Sequence, residues 1–302
     1  MVNGDGNGWT RCRLGHRHWG RYGAAGLLAC APDEAGQELV LLQRRNWWGN
    51  HGGTWGPPGG ARDSHETAVA AALREAAEEC DIPPDAVRLH GILCDDHGGW
   101  SYQTVIGAAP EPFEARSASS ETSEAGWIAA ADVGRLALHP GFAGQWPVLR
   151  TALQPVTIIV DVANVMGSRP DGWWRDRAGA AVRLAAQLAV LAGRGLAELP
   201  ESLHAPALER WFPQYALVLE GAARRAAQDG PGAVAGPGPG AAAADAYIRL
   251  VSAPGSGDDT IAELAARTTG RRLVVTADRE LRERCLAAGA AVAGPGWLLR
   301  QL

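Results

Sequence analysis

Residues Gly60–Ile82, GARDSHETAVAAALREAAEECDI, constrain this chain more than any other stretch, because they set Arg74 and four glutamates at fixed spacings across a loop and one helix. Asp63 followed three residues later by Glu66 is an aspartate form of the capping box, which predicts a helix from about Ser64 to Cys80. At roughly 100° per residue, Val69, Ala72, Leu73, Ala76 and Cys80 share one arc, while Glu75, Glu78 and Glu79 share another. The first arc predicts a core-facing side. Like charges at i, i+3 and i+4 repel by roughly a few tenths of a kcal/mol per pair unless something neutralises them. A hard cation would do so: Mg²⁺ takes carboxylate oxygens together with retained water and substrate phosphate. For the EAAEE run alone, a solvated acidic helix face is the competing reading.

The whole spacing decides between them. Gly60, five residues, Glu66, seven residues, then Arg74-Glu75-Ala76-Ala77-Glu78-Glu79-Cys80-Asp81-Ile82 resembles the Nudix box, the signature of the Nudix hydrolases. It departs where Asp81 replaces the family's glycine and where Ala76 is a small occupant of an aliphatic position. Asp tolerates the left-handed conformation better than most residues, so modest strain at the helix end is expected. The resemblance implies an α/β/α sandwich with a mixed sheet, and hydrolysis of a nucleoside diphosphate linked to another group X. It also implies that water attacks a phosphorus of the pyrophosphate link. Glu75, Glu78 and Glu79 would hold Mg²⁺, with Mn²⁺ as the alternative ion, and the Gly60 carbonyl would add an oxygen. Arg74 would orient a glutamate of the box, and Glu66, on the far side of the helical projection from Glu75, would be structural. In the family a glutamate outside the box often assists; here Glu121 or Glu124 stands in that place, a plain solvated pair being the other reading.

Around the box, Tyr22–Cys30, Glu38–Arg44, Val87–Asp95 and Trp100–Ala109 read as strands, the last two joined by an Asp96-His97-Gly98-Gly99 turn. A further strand follows Glu124, and a helix over about Gly141–Ala152 closes a domain spanning residues 21–153. In the glycine-rich loop 45–60, Trp47, Trp48 and Trp55 either stack on a nucleobase or fill the small core. Arg44, Trp48 and Trp55 are the expected substrate contacts. Residues 1–20 read as a leader with a basic patch of Arg11, Arg13, Arg17, His16 and His18, the two histidines taken as surface residues with ligation the alternative. The five cysteines form no CxxC pair, which argues against a zinc ribbon or a disulfide framework and leaves them as packing residues. No long apolar run suggests a membrane span, and the first 20 residues lack the apolar core of a signal peptide, so a cytoplasmic location is expected.

A second pattern begins at Val156. VTIIVDVANVMG reads as a buried parallel strand that delivers Asp161 and Asn164 at its carboxyl end. Tyr215–Leu219, Tyr247–Ser252 and Leu273–Thr276 repeat the pattern, followed by Glu220, by Asp258 and Asp259, and by Asp278. Helices over about Trp174–Leu191, Thr260–Ala266 and Glu280–Ala288 alternate with them, which predicts a second, parallel α/β domain over residues 156–302. Each aspartate taken singly is a candidate helix N-cap. Together, IIVDVANV, PGSGDDTI and VVTADREL resemble the NYN branch of the PIN-like nucleases, implying a divalent-metal site at Asp161, Asp258 or Asp259, and Asp278, with RNA as a partner. The segment 228–244, QDGPGAVAGPGPGAAAA, is of low complexity and reads as a disordered insert.

Residues 1–155 hold 18 acids and 12 bases, a net of −6, against 15 acids and 16 bases beyond them, a net of +1. Neither balance is that of a protein gripping long nucleic acid. A small nucleotide suits the first domain. Two functions fit this organisation: a catalytic Nudix hydrolase with an appended domain, or a non-cleaving nucleotide sensor that regulates that domain.

Overall fold

Ala24–Pro32 is the strand around which the first sheet forms, with every residue from Ala24 to Ala31 buried. The computed structural model to which it belongs describes residues 4–48, 51–170, 172–229 and 247–302. Contacts divide the chain into two units, Met1–Leu153 with Pro206–Glu209, and Gln154–Ala205 with Arg210–Leu302.

In the first unit the elements run β1 (Trp9–Arg11), β2 (Arg17–Trp19), β3 (Ala24–Pro32), β4 (Glu38–Arg45), β5 (Trp55–Gly56), β6 (Gly59–Ala61), α1 (Ala68–Cys80), β7 (Arg88–Asp96), β8 (Ser101–Ala108), β9 (Thr122–Ala129) and α2 (Pro140–Ala152). β1 and β2 form an antiparallel hairpin. β3 lies parallel to β8 and antiparallel to β4 and β6, β4 also pairs with β9, and β7 pairs with β8, so the sheet is mixed. Apolar residues of α1 (Ala68, Ala71, Ala72, Ala76, Cys80) pack against β3 and β6. This is the α/β fold with a mixed sheet that the Nudix-like spacing implies.

α1 begins four residues later than the Asp63–Glu66 box predicts. Thr67 caps it, its hydroxyl accepting from the Ala70 amide at 3.1 Å. The Asp63 carboxylate is engaged elsewhere, accepting from the Gly6 amide at 2.7 Å, so it does not cap the helix. Glu66 still reaches back to the Asp63 amide at 3.0 Å, which preserves half of the box outside the helix. At the other end Asp81 sits at φ 57°, ψ 34°, left-handed, with its amide and that of Ile82 returning to the Ala77 and Ala76 carbonyls. That is the Schellman arrangement a glycine usually completes.

The second unit contains β10 (Val156–Asp161), α3 (Val162–Gly167), α4 (Arg177–Arg194), β11 (Arg210–Trp211), β12 (Gln214–Leu219), α5 (Ala226–Asp229), β13 (Ile248–Ser252), α6 (Gly257–Arg267), β14 (Arg271–Val275), α7 (Arg279–Ala287), β15 (Ala291–Ala293) and α8 (Pro295–Leu299). The sheet order is β13-β12-β10-β14-β15 and every pairing is parallel. The strand order therefore reverses between β10 and β14, and in an open parallel sheet the crevice at that reversal, beyond the strands' carboxyl ends, is where ligands bind. α4 starts three residues after the expected Trp174 because Asp176, accepting from the Gly179 amide at 2.8 Å, caps it there. Of the expected disordered insert, residues 230–244 lie outside the described residues. Among the described residues no helix is long and apolar enough to cross a membrane.

Candidate active site

Arg74 is the hub of the first unit's site. Its Nε donates to Glu66 at 2.7 Å and one terminal nitrogen donates to Glu66 at 2.9 Å, a bidentate grip that fixes the guanidinium plane. The same nitrogen also donates to the Ala61 carbonyl at 3.0 Å, which ties α1 to β6. The other terminal nitrogen donates to Glu75 at 2.8 Å and stands 3.6 Å from Glu78. One cation thus aligns carboxylates from both the loop and the helix. Its charge and hydrogen bonds hold the Glu66 carboxyl below the usual carboxylate range.

Glu79 differs from its neighbours because α1 turns it into the protein. Its side chain is buried, and one carboxylate oxygen accepts from the Gly59 amide at 2.7 Å and from the Gln43 side chain at 2.6 Å. Burial nonetheless pushes its carboxyl up to about 7, with the Glu75 charge adding to the push and the Gly59 amide, Gln43 and Arg45 opposing it. Burial also raises Glu75, against the pull of Arg74, with Glu78 and Glu121 reinforcing the rise. A pair of carboxylates held above their ordinary range by burial and neighbouring negative charge is short of positive charge. Around them the backbone is cut close: a Cβ added at Gly60 would lie 2.6 Å from the Glu75 carboxylate. Glycine at 60 therefore leaves the carboxylate its space.

The helical projection placed Glu75, Glu78 and Glu79 together, and they are adjacent, though Glu79 is buried where an open face was expected. Glu66 stands apart from the helix and acts through Arg74. Of the two glutamates beyond the box, Glu121 bears electrostatically on Glu75, whereas Glu124 pairs across the sheet with Arg44. Arg44 points to the loop that follows β4, its Nε donating to the Gly53 carbonyl at 3.2 Å, and Arg45 is the arginine that acts on Glu79. Trp48 is exposed, as is Trp47 at 82%, so neither fills the core; Trp55 is half-buried in β5 opposite Arg44.

Gln43 was not anticipated. It is 2% exposed and held by the Thr122 hydroxyl, which donates to its carbonyl oxygen and thereby aims its amide at Glu79. The available signal was a lone amide ending the apolar run LVLL in a buried strand.

In the second unit Asp161, Glu220, Asp258 and Asp278 line one cleft of about 460 Å³ with Asn164 and Ser168. Asp161 and Asp278 are also helix N-caps, accepting from the Asn164 amide at 3.0 Å and the Leu281 amide at 2.7 Å. Capping and clustering are thus compatible. Thr276 donates to the second oxygen of Asp161 at 2.8 Å. Burial raises the carboxyl of Asp161 and that of Asp258, and the neighbouring acids raise both further. Asp259 does not line the cleft; it is exposed and paired with Arg284 at 2.8 Å.

Comparison with known proteins matches the first unit. The NUDIX domain family model matches residues 21–152. The chain is 44% identical over 164 residues to "Putative 8-oxo-dGTP diphosphatase 3" of Mycobacterium tuberculosis, spanning 52% of this chain and 74% of that protein. It is 36% identical over 151 residues to a "Nucleoside triphosphate pyrophosphatase/Nudix hydrolase fusion protein" of Bifidobacterium longum, spanning 48% of this chain and 31% of that one. The crystal structure of a Nudix hydrolase from M. Smegmatis is similar at 43% identity and a TM-score of 0.46, over 48% of this chain and 93% of that one. With the spacing of Gly60–Ile82, the mixed sheet and this extent of identity in agreement, the chain belongs to the Nudix family of pyrophosphohydrolases.

Proposed function

We propose that the first unit hydrolyses a pyrophosphate bond in a nucleoside diphosphate linked to another group, with Mg²⁺ held by Glu75, Glu78 and Glu79. The observation that carries this reading is the Arg74-centred set of carboxylates, in which Glu79 is buried and pushed up to about 7 by burial. An all-oxygen donor set with one exposed member, Glu78, suits a hard cation that keeps water and takes substrate phosphate. The space that Gly60 leaves beside Glu75 fits the same ion, with the Gly60 carbonyl a further oxygen donor. When bound, the cation lowers the pKa of a water and offsets charge on phosphoryl oxygens.

The chain's own residues do the rest. Arg74 fixes Glu75 in place and, through Glu66, anchors the loop to the helix. Gln43 and the Gly59 amide hold one Glu79 oxygen, leaving the other for the site. Glu121 is the outlying carboxylate placed to take a proton from the attacking water, since it already bears on Glu75 and Glu124 faces Arg44. Arg45 supplies positive charge on the substrate side, and exposed Trp47 and Trp48 offer faces for a base. The M. tuberculosis relative's name puts a damaged nucleoside triphosphate, 8-oxo-dGTP, in the substrate panel beside nucleotide sugars, ADP-ribose and dinucleotides. Mg²⁺-dependent release of product from one of these classes is expected; no release from any class, with or without Mg²⁺, contradicts the proposal.

One observation favours a second activity. Four carboxylates, each following one of four parallel strands, converge at the sheet's reversal point, two of them raised by burial and neighbouring acids, as the NYN/PIN-like resemblance implies. We read this as a divalent-metal site, with Mg²⁺ or Mn²⁺ at Asp161, Glu220, Asp258 and Asp278 and RNA as the substrate. Mn²⁺-dependent cleavage of single-stranded RNA that Asp161→Asn abolishes supports it, and equal cleavage by that variant rejects it.

A further inference from the structure

The β1–β2 hairpin and the turn between β7 and β8 bring four soft or borderline donors together. Cys12 follows β1, and its amide donates to the His16 carbonyl at 3.1 Å while its own carbonyl accepts from the Gly15 amide at 3.0 Å. Gly15, at φ 85°, makes that turn possible and returns the chain through His16 to His18 on β2. The Arg13 amide donates to the Gly98 carbonyl at 2.8 Å, which sets the hairpin turn against His97. The Cys12 sulfur and one nitrogen each from His16, His18 and His97 lie within 4.8 Å of one another. Sequence spacing alone left Cys12 as a packing residue and the two leader histidines as surface residues, because the fourth member comes from a distant turn.

Two of these donors lack what a buried polar atom ordinarily has. His18 stacks on Trp100, ring centroids 3.9 Å apart and planes 10° apart, and its Nε2 is buried with no hydrogen-bond partner. His97 Nε2 is 3.2 Å from an Asp95 oxygen, which leaves Nδ1 as the free end of the ring, and Nδ1 is likewise buried without a partner. Orphaned buried nitrogens on two converging rings are unusual, since buried polar atoms are nearly always satisfied.

We propose that Cys12, His16, His18 and His97 form a zinc site that staples the N-terminal hairpin to the β7–β8 turn. One thiolate and three imidazoles make a complete tetrahedral set for Zn²⁺, and a site with four protein ligands is structural, because no position is open to substrate. Zinc bonds of about 2.3 Å to sulfur and about 2.0–2.1 Å to nitrogen require only a small contraction of this cluster. Asp95 acts through His97: by accepting from Nε2 it orients the ring and presents Nδ1, the carboxylate–histidine–metal relation common at zinc sites. The donors differ in kind from the all-oxygen glutamate cluster on α1, so the two sites select different ions.

The test uses the full chain, stripped with a chelator and titrated with Co²⁺ and then Zn²⁺. One equivalent of Co²⁺ should give the visible absorption of a tetrahedral ion together with a thiolate charge-transfer band, and one equivalent of Zn²⁺ should displace it and raise the melting temperature. Cys12→Ser should lose the thiolate band. His16→Ala, a change at an exposed side chain that leaves the fold intact, should lose the tight equivalent. Asp95→Asn should weaken Zn²⁺ by about 10- to 100-fold. Glu79→Gln should keep the cobalt spectrum unchanged. A full chain that takes up no tight equivalent, or one whose cobalt spectrum survives both Cys12→Ser and His16→Ala, overturns the proposal. Binding lost only in Glu79→Gln overturns it equally.

Discussion

Glu79 carries its charge at a cost that the rest of the site must offset. Its folded-state carboxyl stands at about 7 against an ordinary 4.5, because burial disfavours the anion more than Gly59 and Gln43 favour it. Below about pH 4.5 it is neutral in folded and unfolded chains alike, and its contribution to stability is complete. Between 4.5 and 7 the unfolded carboxyl ionises while the folded one keeps its proton, so that contribution falls, and above 7 it is gone. In chelator, the wild type should therefore lose more thermal stability from pH 5 to pH 8 than Glu79→Gln does, and saturating Mg²⁺ should close most of that gap. Equal pH dependence of melting in the two proteins would mean Glu79 titrates normally. Gln43, Cys12 and His97 show why side-chain partnerships of this kind were only partly legible. Arg74 and its glutamates lie within one helix and loop, where 3.6-residue spacing exposes them, whereas Gln43 meets Glu79 across 36 residues and no local period links them.

Among the elements, α1 was the most legible in its pattern and the least so at its start. Its apolar arc and its end at Cys80 follow from periodicity and from the Asp81 position, but the start depends on which of Asp63 and Thr67 has a free acceptor. Gly6 takes the Asp63 carboxylate, a contact from a distant segment. Short β15 left no periodic trace, since three residues cannot display one. At the helix end, Asp81 adopts φ 57° while its carboxylate pairs with Arg116 at 2.5 Å, both side chains more than half exposed. Glycine there would relieve about 1 kcal/mol of left-handed strain yet lose chain-entropy advantage and an exposed pair worth about 0.2–1 kcal/mol. Asp81→Gly is thus expected to shift unfolding free energy by less than about 0.5 kcal/mol, and Asp81→Ala, which keeps the strain and loses the pair, to destabilise by about 1 kcal/mol. Denaturant titration separates these; Asp81→Ala matching wild type would show that the helix end relaxes.

For the whole molecule, the first unit is built on a mixed sheet and the second on a parallel one, and each unit carries its own set of acids. We propose that residues 1–153 fold alone and retain nucleotide hydrolysis, since Arg74, Glu75, Glu78, Glu79 and Glu121 all lie within them. Pro206–Glu209 cluster with the first unit, the Glu209 amide donating to the Ile92 carbonyl at 2.9 Å and its carboxylate accepting from Gln103 at 2.8 Å. The fragment should accordingly melt lower than its counterpart in the full chain while keeping turnover per site. A fragment folded by circular dichroism yet inactive on every substrate of the full chain would move the chemistry out of the first unit. The same question can be put to the intact protein by comparing two charge-neutralising variants, Glu79→Gln and Asp161→Asn, for Mg²⁺-dependent cleavage of the substrate the wild type prefers. Glu79→Gln is predicted to lower kcat/KM by about 100-fold or more, about 2.7 kcal/mol of barrier, with Asp161→Asn close to wild type. Near-normal cleavage by Glu79→Gln beside loss in Asp161→Asn would contradict the assignment of pyrophosphate hydrolysis to the Arg74-centred cluster.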